Sequence, residues 1–480
     1  MPNWPGRAAI AASSRSSQGL ASRTPVMLAS TRTSAGSYPA LQGPRALCQN
    51  PAALSDQLLS PDVGAADTAT SGSETDGALL DGIRVVELAT IVMAPSACAI
   101  LTDFGAEVIK IEAPGRGDIY RYFQDLPGMP DSEIPYCFLL DGRNKKSVVI
   151  DLKQESGQAV AHRLIGTADV FLTNCHNSVL DALGMNWERL RKINPRLVFA
   201  HGTGYGHTGP EAEKPGYDQV CYWTRSGLVS TFFPVEGHLG PLGCGTGDHP
   251  TGVTLFSAVL LGLMKRDRTG IGSYVTTSLL AAGAWANACA IQARLVGAEF
   301  HGKRPREQTM NFGQLYYRTR DDRLVKLSIV EQDRDWKRFC LALGRDDLID
   351  DERFRTTPER IANMPEFVAL LDAEFARRDF EDWSERFTHH EIPYSLVSNL
   401  DDIANDEQLE AIGMFRDLDH PEYGRLRTVD SPVFVEGEDK AQPQPAPALG
   451  EHTGELLREL GLDASEIADL ADQGVISGRL

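Results

Sequence analysis

The sequence has few basic residues for its acidic content, and it has no long hydrophobic run. Its 480 residues include 47 Lys and Arg against 66 Asp and Glu, which gives a formal net charge of −19. A charge of that sign disfavours nucleic acid and anionic membrane surfaces as partners. A membrane-spanning helix needs about 18 or more apolar residues in succession. We therefore expect neither nucleic acid nor a membrane as a partner.

Cysteine is sparse and follows no pattern. The eight cysteines are scattered along the chain, and no two of them form a C-x-x-C pair. The eleven histidines also lack the spacing typical of metal ligands. These absences predict free thiols in a reducing compartment, no metal site and a cytoplasmic location.

The first 76 residues differ from the rest of the chain. They are rich in Ser, Ala, Thr and Pro, the first acidic residue is Asp56, and the segment has no hydrophobic periodicity. We predict that residues 1–76 form a disordered N-terminal extension. An Arg- and Ser-rich segment poor in acids is also typical of an organellar transit peptide, which makes a mitochondrial location the alternative.

From residue 77 onward, buried strands alternate with helices. Strands are predicted at 83–88 and 106–112, and Ala94-Pro95 opens a helix between them. Strand, helix and strand within about thirty residues form a βαβ unit of a parallel sheet. Further strands are predicted at 147–152, 170–174, 196–200 and 273–279. The fold class is therefore α/β, with an open Rossmann-like parallel sheet that binds ligands at the carboxyl ends of its strands.

Changes in the pattern along the chain suggest two domains. Residues 77–280 are predicted as the first part of a large α/β domain, and residues 281–305 as a linker. Within this region an Ala-rich helix is predicted at 281–297, and the stretch from residue 300 is basic and contains Gly. A smaller α+β domain follows at 306–400, because a strand near 324–330 precedes three charged amphipathic helices. Residues 401–480 are predicted to return to the large domain.

One motif suggests a dinucleotide site that the surrounding sequence contradicts. Gly204, Gly206 and Gly209 satisfy G-x-G-x-x-G directly after a predicted strand. A dinucleotide fingerprint requires a helix next, whose N-terminus meets the pyrophosphate. An acidic, proline-bounded turn follows at 210–215 instead. We therefore predict no NAD site and no permanently bound cofactor.

The stretch from Gly245 to Gly252 places a carboxylate, Asp248, between glycines and before an apolar run that predicts a buried helix. Asp248 is expected near the N-cap of that helix, where the positive helix end would keep it ionised. Glycines let a substrate approach the backbone closely, so Asp248 is a candidate nucleophile. The alternative is that Asp248 only caps the helix.

Motifs in a fixed order from about residue 80 to 472 resemble class III CoA-transferases, the family that includes formyl-CoA and carnitine-type enzymes. Each motif is weak alone, but their shared order is specific. They are Leu80-Asp81-Gly82, Asp103-Phe104-Gly105-Ala106-Glu107, Asn144-Lys145-Lys146-Ser147, Gly216-Tyr217-Asp218, Gly247-Asp248 and Leu449-Gly450-Glu451-His452-Thr453.

The resemblance implies a transferase that moves CoA between an acyl-CoA thioester and a free carboxylic acid. Asp248 would attack the thioester and pass through an aspartyl-CoA intermediate without ATP or metal. Gly247, His249 and Tyr217 would belong to the oxyanion and substrate loop. The family also forms interlocked dimers, so a homodimer is expected.

The resemblance also implies which residues contact CoA, a substrate here and not a resident cofactor. The loop after the first strand would make backbone contacts to the nucleotide, and basic residues would lie near the phosphates. The implied contacts are Thr90, Ile91, Val92, Met93, Ala94, Ile150, Lys153 and Asn174, with Lys145 and Arg116 as phosphate candidates.

Two other functions stay open at this point. A 2-methylacyl-CoA racemase-like epimerase of the same fold needs a His and an Asp as paired acid/base groups, and Tyr217 stands at the place of the His. Tyrosine side chains ordinarily have a pKa near 10, which suits a base poorly. A catalytically silent CoA-binding protein is the other alternative. Residues 222–227 and Gly247-Asp248-His249 resemble the branch that acts on 2-hydroxy acids and aryl-propanoates, although ordinary core aromatics would explain Tyr222 and Trp223 at least as well.

Overall fold

The computed structural model describes residues 77–232, 240 and 243–480. The prediction that residues 1–76 are disordered, and that they could be a transit peptide, lies outside these residues. No described helix is both long and apolar enough to cross a membrane.

Six parallel strands form the centre of the molecule. Neighbouring strands follow the order β3-β2-β1-β4-β5-β6, and every pairing among them is parallel. The order reverses direction between β1 and β4, as in open doubly wound sheets. This confirms the predicted α/β fold class. The strands are β1 (Arg84–Leu88), β2 (Glu107–Glu112), β3 (Lys146–Ile150), β4 (Val170–Thr173), β5 (Val198–Thr203) and β6 (Ser273–Ser278).

Helices cover both faces of this sheet and bury its Val-, Ile- and Leu-rich strands, as parallel sheets require. Two hydrophobic clusters result, one on each face. The helices of this part are α1 (Met93–Asp103), α2 (Tyr136–Gly142), α3 (Glu155–Gly166), α4 (Asn177–Ala182), α5 (Trp187–Ile193), α6 (Leu228–Phe232), α7 (Asp248–Thr269), α8 (Leu279–Ala286) and α9 (Ala288–Leu295).

Close contact between α1 and α7 places the start of α7 beside the loop after β1. A Cβ atom at Gly252 would lie 2.2 Å from Ser96 Oγ and 2.9 Å from the Met93 carbonyl oxygen. Only glycine fits at this crossing. The first turn of α7, which contains Asp248, is therefore held against α1.

A second hydrophobic core lies between Phe312 and Ile392 and is dominated by aromatic rings. Tyr317 stacks on Phe375 with ring centroids 4.4 Å apart, and Trp383 also stacks on Phe375 with centroids 4.8 Å apart. Its elements are an antiparallel sheet of β7 (Tyr316–Arg318), β8 (Leu324–Leu327) and β9 (Tyr394–Leu396), with α10 (Gln332–Leu343), α11 (Thr357–Ala362), α12 (Met364–Phe375) and α13 (Phe380–His389).

The last residues of the chain return to the main sheet. Ile476 pairs with Ile150 in an antiparallel ladder, which makes β12 (Ile476–Ser477) the seventh strand, beside β3. The elements of this part are α14 (Leu400–Ala404), α15 (Glu407–Ala411), β10 (Phe415–His420), β11 (Gly424–Val429), α16 (Thr453–Glu459), α17 (Ala464–Asp472) and β12 (Ile476–Ser477). The domain boundaries at 281–305 and 400 and the homodimer stay predictions.

Candidate active site

A cavity of about 290 Å³ opens at the carboxyl ends of β1, β4 and β5. These strands flank the point where the order of the sheet reverses, which is where open α/β sheets bind ligands. The cavity brings together residues that were predicted from distant stretches of the sequence. They are Thr90, Ile91, Val92, Met93, Asn174, Tyr217 and Asp248.

Asp248 is the first residue of α7, and Gly247 is the N-cap. Because a glycine N-cap has no side chain, this helix end has no side-chain cap, and the alternative that Asp248 serves as the cap is wrong. Among the described residues, none donates a hydrogen bond to the Asp248 carboxylate. The side chain is partly buried and lies at the cavity wall with its oxygens unengaged.

The ionisation of Asp248 differs from the expectation. Burial raises its pKa to about 7, with a further contribution from the Asp218 carboxylate, while His249 acts in the opposite direction and Asp141 adds to the rise. The sequence predicted that the positive end of α7 would keep Asp248 ionised. With this raised pKa the side chain is instead not fully ionised at neutral pH. A carboxylate in this state is poised to titrate near the pH at which enzymes work.

Gly247 is needed for space and not for its backbone angles. A Cβ atom there would lie 2.6 Å from the Tyr222 ring. Its N–H donates a hydrogen bond to Asp218 Oδ2 at 3.2 Å. The oxyanion role predicted for the Gly247 N–H would require this hydrogen bond to break.

The loop after β1 is held in an unusual conformation by three side chains. Ile91 has φ +68°, in the left-handed region that β-branched residues rarely adopt. Its N–H donates to Asp118 Oδ1 at 3.1 Å. Asn174 accepts from the Thr90 N–H at 3.1 Å and donates to the Thr90 carbonyl at 2.8 Å. Lys110 donates to the Ala89 carbonyl at 2.7 Å, so the loop is formed before any ligand binds.

The other predicted CoA contacts lie away from the cavity lining. Arg116 follows β2 and stacks over the Tyr122 ring at 4.8 Å. Ile150 ends β3 and is buried, while Lys153 is exposed in the turn beyond. All three lie at the same carboxyl edge of the sheet, and their contact with CoA stays a prediction. Ala94 is buried in the first turn of α1.

Lys145 does not have a free charge for a phosphate group. Its buried ammonium pairs with Glu87 at 2.6 Å and donates to the Pro95 carbonyl at 2.9 Å. This contradicts the predicted phosphate contact. A larger cavity of about 1100 Å³ does reach Lys145, but it lies between α2 and the segment 441–452 and is not lined by Asp248.

Two carboxylates near Asp248 were missed from the sequence. Asp218 follows Tyr217 within a motif that was noticed, so it could have been included. Asp141 lies in α2, 108 positions before the His249 that it contacts, and no sequence pattern connects them. Their proximity is a result of the tertiary structure alone.

Residues 80–453 match the family described as CoA-transferase family III. The chain therefore belongs to this family, and it is a transferase. The family match includes the cavity loops, Asp218 and Asp248.

The chain is similar to two clostridial enzymes over 83% of its length. It is 32% identical to the cinnamoyl-CoA:phenyllactate CoA-transferase of Clostridium sporogenes, of which 97% is covered. It is 30% identical to the (R)-2-hydroxy-4-methylpentanoate CoA-transferase of Clostridioides difficile, of which 99% is covered. A crystal structure of a CAIB/BAIF family protein from Brucella suis superposes with a TM-score of 0.70 at 28% identity, covering 80% of this chain and 100% of that one.

Proposed function

We propose that Asp248 is the nucleophile of a CoA transfer from an acyl-CoA thioester to a free carboxylic acid. The observation that supports this most directly is the position of its carboxylate. It lies at the wall of the cavity at the switch point of the sheet and accepts no hydrogen bond from a described residue. A nucleophile needs such an unengaged oxygen.

The proposed reaction proceeds in two matched halves. An Asp248 oxygen attacks the thioester carbonyl carbon, the C–S bond breaks, and CoA leaves as a thiolate from a mixed anhydride. The thiolate then attacks the Asp248 carbonyl carbon, which releases the donor acid as a carboxylate and leaves an aspartyl-CoA thioester. The acceptor carboxylate repeats these steps in reverse order. No net proton, electron or phosphate is exchanged.

We further propose a 2-hydroxy acid, or an acid with an aryl or branched apolar side chain, as one partner. The support is the printed substrates of two relatives, phenyllactate and (R)-2-hydroxy-4-methylpentanoate. Trp223 donates to Thr246 Oγ1 at 3.1 Å and contacts Tyr222 edge-on, which places two aromatic side chains beside the turn that precedes Asp248.

The test combines a substrate screen with trapping of the intermediate. Acyl-CoA donors are paired with 2-hydroxy, aryl-propanoic and dicarboxylic acids, and new CoA thioesters are read by mass spectrometry. The enzyme is then incubated with one acyl-CoA, quenched with borohydride and digested. A modified peptide that contains Asp248 supports the proposal, and turnover with an unmodified Asp248 contradicts it.

The same samples separate the two alternatives. Exchange of the α-proton for deuterium in a 2-methylacyl-CoA, without formation of a new thioester, would indicate an epimerase. Binding of CoA with neither reaction would indicate a silent protein.

We also propose a homodimer, as the family resemblance implies. Light scattering at nanomolar concentration should give the mass of two chains, because interlocked chains cannot separate without unfolding. A monomer at that concentration would contradict the interlocked arrangement.

A further inference from the structure

Both ring nitrogens of His249 face hydrogen-bond acceptors. Nε2 lies 3.3 Å from Asp141 Oδ1, and Nδ1 lies 3.1 Å from the Gly245 carbonyl oxygen. A neutral imidazole carries a proton on only one nitrogen and would leave the other facing an acceptor. With Asp141 ionised, only the protonated ring donates to both acceptors. This geometry assigns a positive charge to the residue next to Asp248.

That charge lies among carboxylates that come from several elements. Asp248 shares the first turn of α7, Asp141 projects from α2, and Asp218 precedes the helical turn Gln219–Arg225.

Thiol and phenol groups also lie close to these carboxylates. The Cys244 and Cys221 thiols lie near Asp218 and Asp248. The Tyr120 phenol and the Cys137 thiol lie beside Asp141. Among the described groups that act on the Asp248 charge, His249 is the one that favours ionisation.

We propose that Asp141 and His249 form a positioning pair, in which the Asp141 carboxylate holds the His249 imidazolium beside Asp248 so that Asp248 stays an anion ready to attack. This inference rests on the proposed function of Asp248. Asp141 makes no hydrogen bond to Asp248, and in this proposal it acts through His249.

The proposed chemistry explains why a fixed cation is useful at this place. Each half of the reaction brings an anion, either a CoA thiolate or an acid carboxylate, to a carbonyl group carried on Asp248. Asp218 and Asp141 alone would repel such anions. An imidazolium at the start of α7 offsets them without movement of the protein.

The directions of the pKa shifts agree with this geometry. Burial opposes the charged form of His249, but its hydrogen bond and ion pair with Asp141 raise its pKa to about 9. His249 is therefore expected to remain protonated at the pH where Asp248 titrates.

The first experiment measures the pH dependence of kcat/KM for the acyl-CoA between pH 5 and 9. The acidic limb of this profile reports the ionisation of Asp248. In His249→Gln the limb should move to a pH roughly one unit higher, so that kcat/KM measured at acidic pH falls about 10-fold. Asp141→Asn should move the limb by less, because it also removes a carboxylate that itself raises the pKa of Asp248. The double variant should lose no more than His249→Gln alone, because Asp141 acts through His249. His249→Lys, which carries its own charge, should restore part of the loss.

A matched control is His162→Gln. His162 is another partly buried histidine, with Nε2 bonded to the Gly184 carbonyl, on a helix outside the site. Its removal should leave the pH profile in place. A uniform loss of activity at all pH values in His249→Gln and Asp141→Asn, with equal loss of Tm, would mean a purely structural role and would overturn the proposal.

A second measurement does not depend on activity. NMR titration of ¹³C-labelled histidine, with the His249 signal assigned by its absence in His249→Gln, should show an imidazole protonated beyond pH 8 in the wild type and near an ordinary pKa of about 6.5 in Asp141→Asn. If His249 of the wild type titrates near the ordinary value of about 6.5, the proposed Asp141–His249 pair is wrong even if CoA transfer is confirmed. Failure of the proposed nucleophile role of Asp248 would give a different result, because Asp248→Asn would then retain turnover.

Discussion

The molecule contains two groups of buried or partly buried carboxylates with opposite properties. In the first, which we call the ionic cluster, Glu87, Glu112 and Asp118 surround Lys110, Lys145 and Arg121. In the second, at the cavity, Asp248 lies near Asp218 and Asp141 with His249 as the cation. Both groups lie next to the loop after β1, since Asp118 accepts a hydrogen bond from the Ile91 N–H and Asp248 lines the same cavity as that loop.

The difference lies in how well each carboxylate is paired. Burial alone would raise the pKa of Glu112, but Arg121, Lys110 and Ser147 lower it to about 2. Glu87 is likewise lowered against the effect of burial by Lys110 and Lys145. At Asp248 burial prevails and the pKa rises to about 7. Paired carboxylates stabilise the loop, and the unpaired one is available for chemistry.

The largest effect is expected from removal of the unpaired charge. Asp248→Asn keeps the shape of the side chain but cannot attack a thioester, so kcat/KM should fall by at least about 10³-fold. Circular dichroism and Tm should show an intact fold, because Asp248 caps nothing. Asp267→Asn, an exposed position on the same helix, is the control. Near-normal turnover of Asp248→Asn would mean that Asp248 is not the nucleophile.

A large effect on stability is expected from the ionic cluster. Lys110→Met leaves Asp118 unpaired and Glu87 with Lys145 as its remaining partner, which should cost about 3–5 kcal/mol of unfolding free energy. Lys146→Met is the matched control on the neighbouring strand. Lys146 pairs with half-exposed Glu107 and Glu455, so its loss should cost at most about 1 kcal/mol. Urea unfolding measures the free energy of unfolding of both variants. Equal losses would contradict the difference expected between the buried and the half-exposed ion pairs.

The two groups should also respond to pH with opposite signs. Glu112 has a lowered folded-state pKa, so its stabilisation is present above an ordinary value of about 4.5 and is lost as the pH falls toward 2. Asp248 has a raised folded-state pKa, so its ionisation destabilises the fold as the pH rises from about 4 to 7. Asp248→Asn should therefore have a higher Tm than the wild type at pH 8, and the two should converge near pH 4. A constant difference would contradict the burial of Asp248.

The smallest effect is expected at Asn174, whose side chain bonds both backbone groups of Thr90 in the loop after β1. Asn174→Asp keeps the acceptor for the Thr90 N–H but loses the donor to its carbonyl. The loop should loosen and the KM for acyl-CoA should rise by about 3- to 10-fold, with a smaller change in kcat. Asn405→Asp, which changes an exposed amide bonded to the Asp401 carbonyl, is the control. An unchanged KM would mean that Asp118 and Lys110 hold the loop without Asn174.

Much of the fold follows from local patterns. The buried strands β1 to β6 are short apolar runs between turn residues, and their predicted ranges agree with the observed ones within about two to three residues. The predicted helix at 281–297 is two helices, α8 and α9, because the chain breaks at Asn287. The edge strands β7, β10, β11 and β12 were not predicted, since their short, half-exposed sequences carry little periodic signal.

The sequence by itself determined the α/β class, the family and the position of Asp248 at the start of an apolar helix, because these depend on local order along the chain. Only the tertiary structure decided the charge states. It brought Asp141 from α2 to His249, left Asp248 without a hydrogen-bond donor among the described residues, and paired Lys145 with Glu87 instead of leaving it free for phosphate. The physical reason is that ionisation depends on burial and on neighbours across the fold, which no local pattern records.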